Sequence, residues 1–277
     1  MTDAAQPYVT LNDGRRMPQL GLGVWQVPSA EAAVAVEAAL RAGYRAIDTA
    51  AIYGNETGVG AGLRAAGVPR SEVFVTTKLW NDSHGRDRTL RAMDDSLARL
   101  GLDYVDLYLI HWPVPKSGLL VETWKAMVEL VREGKARSVG VSNFRIEDLR
   151  QIMEVSGVAP TLNQVELHPR FQQHALRAVQ KELGVAVESW SPLGQGQLLG
   201  DPVIGAIARK HGKTPAQVII RWHLDSGLIV IPKSSRPARV RENFAVHDFR
   251  LDANDMAEIG RLDSPHGRIG PDPASVR

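Results

Sequence analysis

Eight times along the chain a short apolar run of strand character is followed by a stretch with helical periodicity, and this alternation limits the possible folds more than any other feature. The runs are Leu20 to Gly23, Arg45 to Asp48, Val73 to Thr77, Val105 to Ile110, Ala136 to Val141, Thr161 to Val165, Val185 to Ser189 and Leu228 to Ile231. Between them, Leu90, Met93, Leu97 and Leu100 recur at a spacing that places them on one helical face, and Trp124, Met127, Val128 and Val131 follow the same logic. The first helix is expected to be capped by Ser29, to carry Val34 and Leu40 on its apolar side and to stop at Gly43, with Gly101, Gly134 and Gly184 as later stops. After the seventh run there is room for two helices, the second opening at Thr214-Pro215-Ala216-Gln217, a capping box with proline at the first helical position. The pattern predicts an α/β chain, residues 1–277 forming a single closed (β/α)8 TIM barrel with two extra helices, in preference to a doubly wound open sheet.

Before the first run, Tyr8 to Leu11 and Arg16 to Leu20 flank Asn12-Asp13-Gly14, a turn signal that predicts an N-terminal β-hairpin closing the bottom of the barrel. The 277 residues contain no cysteine, which excludes disulfides, a thiolate nucleophile and cysteine-ligated metal. The 33 basic and 31 acidic residues nearly cancel and no long basic run occurs, so nucleic acid is not an expected partner. Met1 to Tyr8 carries Asp3 and no apolar core, and eighteen apolar residues never run uninterrupted, so neither a secretory signal nor a membrane span is expected and the expected location is cytoplasmic. Two glycine pairs, Gly21 with Gly23 and Gly58 with Gly60, lack the third glycine of a dinucleotide fingerprint, because Gln26 and Leu63 stand there. They read as close packing sites.

In a parallel barrel the strand ends share one mouth, so their polar residues can be compared directly. The second strand ends at Asp48, the third at Lys78, the fourth at His111, the fifth at Ser142-Asn143, the sixth at Gln164 and Glu166, the seventh at Trp190-Ser191 and the eighth at Lys233-Ser234. Taken singly, each has an ordinary structural explanation. Jointly they do not, because Lys78 and His111 follow long apolar runs where a charge is costly unless paired, and Asp48 on the adjoining strand is the natural partner. Tyr53 hangs in the loop after Asp48. A phenol is a poor acid with an ordinary pKa of about 10, which a nearby ammonium is expected to lower. The set suits proton donation to a carbonyl receiving hydride: Tyr53 as acid, Lys78 as its field, Asp48 holding Lys78, and neutral His111 orienting the substrate oxygen.

The segments Asp48-Thr-Ala-x-x-Tyr53-Gly-Asn-Glu56, Thr-Lys78-Leu-Trp80, His111-Trp-Pro113, Gly-Val-Ser142-Asn143, Asn163-Gln164, Ser191-Pro-Leu-Gly194 and Ile-Pro-Lys233-Ser234 resemble the aldo-keto reductase family, in order, from Asn12 to about Asp263. The chain looks most like the short bacterial reductases of the 2,5-diketo-D-gluconate type. The resemblance implies an NADPH-dependent carbonyl reductase with Asp48, Tyr53, Lys78 and His111 as its tetrad. It implies that Ser142, Asn143 and Gln164 hold the nicotinamide carboxamide and that Trp190, where many relatives have tyrosine, stacks on the ring. The phosphates are expected along Ser191, Pro192, Leu193 and Gln195 and along Lys233, Ser234, Ser235, Arg236 and Arg239, with Glu242 and Asn243 at the adenine. Trp25, Ile52, Trp80, His111 and Trp112 are expected to line the substrate cleft, which short rim loops, including Val114 to Glu122, would leave open to small aldehydes, α-dicarbonyls and keto-sugars.

Rival chemistries use the same fold. Lys78 suits an aldolase Schiff base, Asp48 with Glu166 a glycosidase pair, and Glu166 with His168 an incomplete metal site. A cofactor-binding regulatory module with little turnover is the non-enzymatic alternative. A monomer is expected because a closed barrel leaves no sheet edge. The tail from His266 onward receives no role.

Overall fold

The computed structural model describes residues 6–276, so that part of the N-terminal stretch read above for a signal, Met1 to Ala5, lies outside the described residues. Strands β1 (Tyr8–Thr10) and β2 (Arg16–Pro18) form the expected antiparallel hairpin. The next eight strands are β3 (Leu22–Gly23), β4 (Ala46–Asp48), β5 (Phe74–Leu79), β6 (Val105–Ile110), β7 (Ala136–Ser142), β8 (Leu162–Glu166), β9 (Ala186–Trp190) and β10 (Ile229–Val230). They pair in parallel in sequence order. Residues flanking the ends of this series also meet, through the parallel bridges Leu20 to Val230 and Gly23 to Lys233. The Gly21 N–H donates to the Val230 carbonyl at 2.9 Å and the Val230 N–H to the Gln19 carbonyl at 2.9 Å, so the sheet closes on itself. This is the (β/α)8 barrel, not an open doubly wound sheet.

Helices α1 (Ser29–Ala42), α2 (Glu56–Ala66), α3 (Arg86–Leu100), α4 (Leu120–Arg132), α5 (Ile146–Ser156) and α6 (His174–Glu182) follow the first six barrel strands. As expected, two helices, α7 (Pro202–His211) and α8 (Pro215–Asp225), occupy the seventh connection, and α9 (Pro237–Phe244) and α10 (Ala253–Gly260) follow the eighth strand. The outer ring closes where Tyr44 packs at a tilt of 41° against Phe244 with ring centroids 4.6 Å apart and donates to the Val240 carbonyl at 3.2 Å. The Thr214 capping box forms, with Gln217 Oε1 accepting from the Thr214 N–H at 2.9 Å.

Two details of α1 differ from expectation. Pro28 takes the cap position and Ser29 is already helical. Val34 is 53 % exposed, while Ala32, Ala35, Val36, Ala39 and Leu40 are buried, a stripe that the 3.6-residue period permits and the pairing of Val34 with Leu40 does not. Ser29 has another duty: a Cβ on Gly58 would stand 1.9 Å from its carbonyl oxygen, and one on Gly60 2.0 Å from that of Leu100. These glycines let α2 press its backbone against α1 and the end of α3, the packing role read from the incomplete fingerprint.

Side chains alternate across each strand, so the barrel interior is built from every second residue. Its floor is apolar: Ala46, Phe74, Leu107, Leu109, Leu162 and Ile229 cluster with Leu11 and Met17 of the hairpin region. Asn12 Nδ2 donates to the Pro160 carbonyl at 2.9 Å and Ser138 Oγ to Asp13 Oδ2 at 2.5 Å, fastening the hairpin turn to the barrel bottom. Moving up the same inward positions leads from Ala46 to Asp48, from Phe74 to Lys78, from Leu162 to Gln164 and from Ala186 to Glu188. Gly58→Ala or Gly60→Ala is expected to cost about 1–3 kcal/mol of stability by overpacking, read as a lower denaturation midpoint with an unchanged slope.

Candidate active site

Asp48 ends β4 and points inward, but Lys78 lies inside β5 rather than after it, and no part of its side chain reaches solvent. Its Nζ donates to Asp48 Oδ1 at 2.6 Å and to the Thr49 carbonyl at 2.9 Å, and it stands 3.4 Å from Tyr53 Oη. Burial alone would discharge this ammonium; Asp48 above all outweighs it and raises Lys78 above its ordinary range. A lysine held charged is a poor nucleophile, which argues against a Schiff base.

The loop that presents Tyr53 is anchored by its own sequence. Asn55 is buried, with Nδ2 donating to the Val24 and Val27 carbonyls at 2.8 and 2.9 Å and Oδ1 accepting from Thr49 Oγ1 at 2.7 Å. Glu56 accepts from Thr77 Oγ1 at 2.6 Å and pairs with Arg99 at 2.6 Å. Neither had been assigned a role. The phenol is not lowered as expected: burial raises it above 10, with Lys78 the main opposing influence. Tyr53 therefore carries its proton at neutral pH, the state that an acid needs.

His111 follows β6 with its ring edge-on to Tyr53 and Trp80, at centroid distances of 5.8 and 5.1 Å. Burial, then the Lys78 charge, push it well below the usual histidine range, so the imidazole is neutral. Asn143 adopts a left-handed backbone, φ 62°, and its Nδ2 donates to the His111 carbonyl at 3.0 Å and to Ser142 Oγ at 3.1 Å. Its Oδ1 accepts from Trp190 Nε1 at 2.8 Å, which satisfies the indole. Gln164 Nε2 donates to Asp48 Oδ2 at 2.8 Å and to Glu188 Oε2 at 2.7 Å.

Asp48, Tyr53, His111, Ser142, Asn143, Gln164, Trp190, Trp25, Ile52, Trp80 and Trp112 all line one cavity of about 560 Å³. A second cavity of about 750 Å³ shares Trp25, Ser191, Pro192, Gln195 and Lys233 with it and continues along Leu193, Ser234, Ser235, Arg236, Arg239, Glu242 and Asn243. The two form one cleft: a mainly aromatic end beside Tyr53, and an end with three cationic side chains at the start of α9. That second end has the chemistry of a phosphate site, exposed cations at a helix N-terminus after the last strands of a barrel.

Two features went unread in the sequence. Glu188, fully buried, follows from Trp190 by the two-residue period of β9, which places both on the inner face. The C-terminal tail, given no role, supplies Ile269, Gly270 and Pro271 to the cleft wall. Glu166 holds it there, accepting from the Ile269 and Gly270 N–H groups at 2.6 and 2.8 Å while meeting His168 Nε2 at 3.1 Å. Glu166 and Asp48 are thus each engaged elsewhere and do not form a glycosidase pair, and no group of three metal-binding side chains assembles among the described residues.

A model of the aldo/keto reductase family matches residues 18–264. The chain belongs to that family. It is 55 % identical over 267 residues to an aldo-keto reductase of Mycolicibacterium smegmatis, covering 96 % of this chain and 97 % of the relative. It is 54 % identical over 267 residues to the methylglyoxal reductase DkgA of Escherichia coli K12, covering 96 % of each. Among solved structures, a mutant of Gox0644 in complex with NADPH superposes with a TM-score of 0.95 at 52 % identity and 99 % coverage of both chains. Like other aldo-keto reductases, the chain is an oxidoreductase.

Burial works against the Glu166 charge, but His168 and the two tail N–H groups outweigh it and hold the carboxyl below its ordinary range. The attachment is therefore complete above that range and is lost only as pH falls through the lowered value. Amide exchange at Ile269 and Gly270 should stay slow from neutral pH into mild acid and become fast at all pH in Glu166→Ala, which should also raise substrate KM several-fold.

Proposed function

We propose that this NADPH-dependent reductase converts small aldehydes, α-dicarbonyls and keto-sugars to alcohols with Tyr53 as the general acid. The observation that carries the reading is the Lys78 ammonium, buried behind the cleft with Asp48 Oδ1 at 2.6 Å and Tyr53 Oη at 3.4 Å, two residues that line a cleft leading to cationic side chains. The residues suit NADPH. Lys233, Arg236 and Arg239 offer positive charge for its phosphates, Glu242 and Asn243 line the same cavity, and Trp190 presents an indole fixed by Asn143. With both Gln164 N–H bonds directed at the carboxyl groups of Asp48 and Glu188, its Oε1 is the atom left to accept from a carboxamide. NADPH, when bound, supplies the hydride.

The protein's part is to place the carbonyl and deliver the proton. His111, neutral, donates to the carbonyl oxygen and holds it at Tyr53. As charge grows on that oxygen, Tyr53 Oη gives it a proton, and the adjacent ammonium stabilises the phenolate left behind. Asp48 keeps Lys78 charged and in position. Trp25 and Ile52 at 42 and 48 % exposure, with Trp80 and Trp112, wall a cleft open enough for substrates of varied shape, and the name of the DkgA relatives supports α-dicarbonyls among them. The barrel strands run from Leu22 to Val230 in one sheet, which supports reading the chain as a single catalytic domain and, with that sheet closed on itself, as a monomer. No helix among the described residues is long and apolar enough to cross a membrane.

The deciding experiment is NADPH oxidation with methylglyoxal by wild type and Tyr53→Phe. Turnover is expected to fall by roughly a thousandfold or more with NADPH still bound, in the range reached by losing acid catalysis together with positioning. Equal rates would overturn the acid, and NADPH binding without turnover in either would favour a regulatory module. Arg239→Ala should erase the preference for NADPH over NADH, measured as the ratio of kcat/KM values.

A further inference from the structure

We propose that Glu188 is a positioning residue of the reductase site: tied to Asp48 through the amide of Gln164, it orients that amide and, through its charge state, sets how readily Tyr53 gives up its proton. The inference rests on the reading of Tyr53 as the acid.

Glu188 sits in the middle of β9 with Gln164 beside it on β8 and Ile229 on β10. It is fully buried, although the barrel floor below it is apolar. Gln164 Nε2 has two hydrogens and spends them on Glu188 Oε2 at 2.7 Å and Asp48 Oδ2 at 2.8 Å. Two carboxyl oxygens on that side force the nitrogen toward them and leave Gln164 Oε1 as the atom free for the cleft. Remove Glu188 and half of that constraint disappears. The amide then gains freedom to turn, at the point where it would meet the nicotinamide.

The charges around Glu188 are few. From β8 it faces uncharged Gln164, from β10 apolar Ile229, and across the barrel Asp48 and Lys78, with Tyr53 beyond them. One ammonium serves two carboxyl groups. Burial raises Asp48 too, against the opposing influence of Lys78, but only Asp48 touches the ammonium, so it is the stronger acid of the two and Glu188 is the one that holds a proton. Its Oε1 meets no partner, a position that is far costlier for an anion than for a neutral acid. Burial first, then the Asp48 charge, push the Glu188 carboxyl up to about 8, against the opposing influence of Gln164 and Lys78.

Ionisation of Glu188 would place a second negative charge in the site, which raises both the phenol and the ammonium. A phenol raised further is a weaker acid, so reduction should slow as Glu188 loses its proton. Glu188 exchanges nothing with the substrate. The same proton appears in stability: the folded protein retains it where the unfolded chain has shed it, so wild-type stability should fall as pH rises from the ordinary carboxylate range to about 8.

The test compares wild type, Glu188→Gln, Glu188→Ala and Tyr53→Phe, using methylglyoxal and NADPH. Wild-type kcat/KM is expected to fall several-fold between about pH 7 and about pH 9, and Glu188→Gln, which cannot ionise but still accepts from Gln164, should lack that decline. Its Tm should also lack the wild-type loss over the lower pH window. Glu188→Ala should raise KM for NADPH, with the glutamine variant restoring it. An alkaline decline shared by wild type and Glu188→Gln, or superimposable Tm profiles, would overturn the proposal. Tyr53→Phe separates the two possible failures: turnover retained there removes the acid itself, whereas inactive Tyr53→Phe with an unmoved Glu188→Gln profile removes only the role of Glu188.

Discussion

The contact on which the rest of the site depends is the buried ion pair of Lys78 and Asp48, 2.6 Å apart at the base of the cleft. An unpaired ammonium at that depth would cost several kcal/mol and would shed its proton instead. The pair therefore demands neighbours, and the barrel supplies them: the Thr49 carbonyl on the ammonium, the Gln164 amide on the other oxygen of Asp48, and Tyr53 at the open side. A charge that would be a liability in a core becomes a field directed at a phenol. The burial that makes the field strong also raises the phenol, so the site works by opposing two large effects on one hydroxyl.

Rigid placement around this pair relies on buried polar side chains that grip backbone. Asn55 clamps the loop carrying Tyr53 to the Val24 and Val27 carbonyls, and Glu166 clamps the C-terminal tail by two N–H groups. Asn143 reaches the His111 carbonyl on one side and the Trp190 indole on the other. Each clamp spans segments far apart in the chain. Loops at the mouth of a barrel gain their precision from such contacts with the wall.

Much of the fold was legible because it rests on local periodicity. All eight strands fall within a residue or two of their expected positions, and the capping box at Thr214 and the stop at Gly43 form as read. Asp48, His111, Ser142, Asn143, Gln164 and Lys233 were legible as polar groups at or near strand ends, and the closed barrel brings them to one cleft with Tyr53, while Lys78 lies buried behind it. Where the reading missed, the reason is physical. Val34 was placed on a face that a 3.6-residue period does not give it, and Ser29 lost the cap to Pro28 while its carbonyl accommodates the close approach of Gly58. Glu188 was overlooked because it precedes the strand end, although its parity with Trp190 marks it as inward-facing.

The sequence by itself determined the alternation of strands and helices, the apolar and polar ends of the inward positions, and the family, since these depend on residue order and spacing over a few turns. Only the tertiary structure decided which charges meet. Lys78 finds Asp48 from 30 residues away, Gln164 reaches Asp48 across 116, and Glu166 holds Gly270 across 104. The direction in which Tyr53 shifts was likewise settled only there, because the balance between burial and a neighbouring ammonium depends on depth and distance, which the order of residues does not contain.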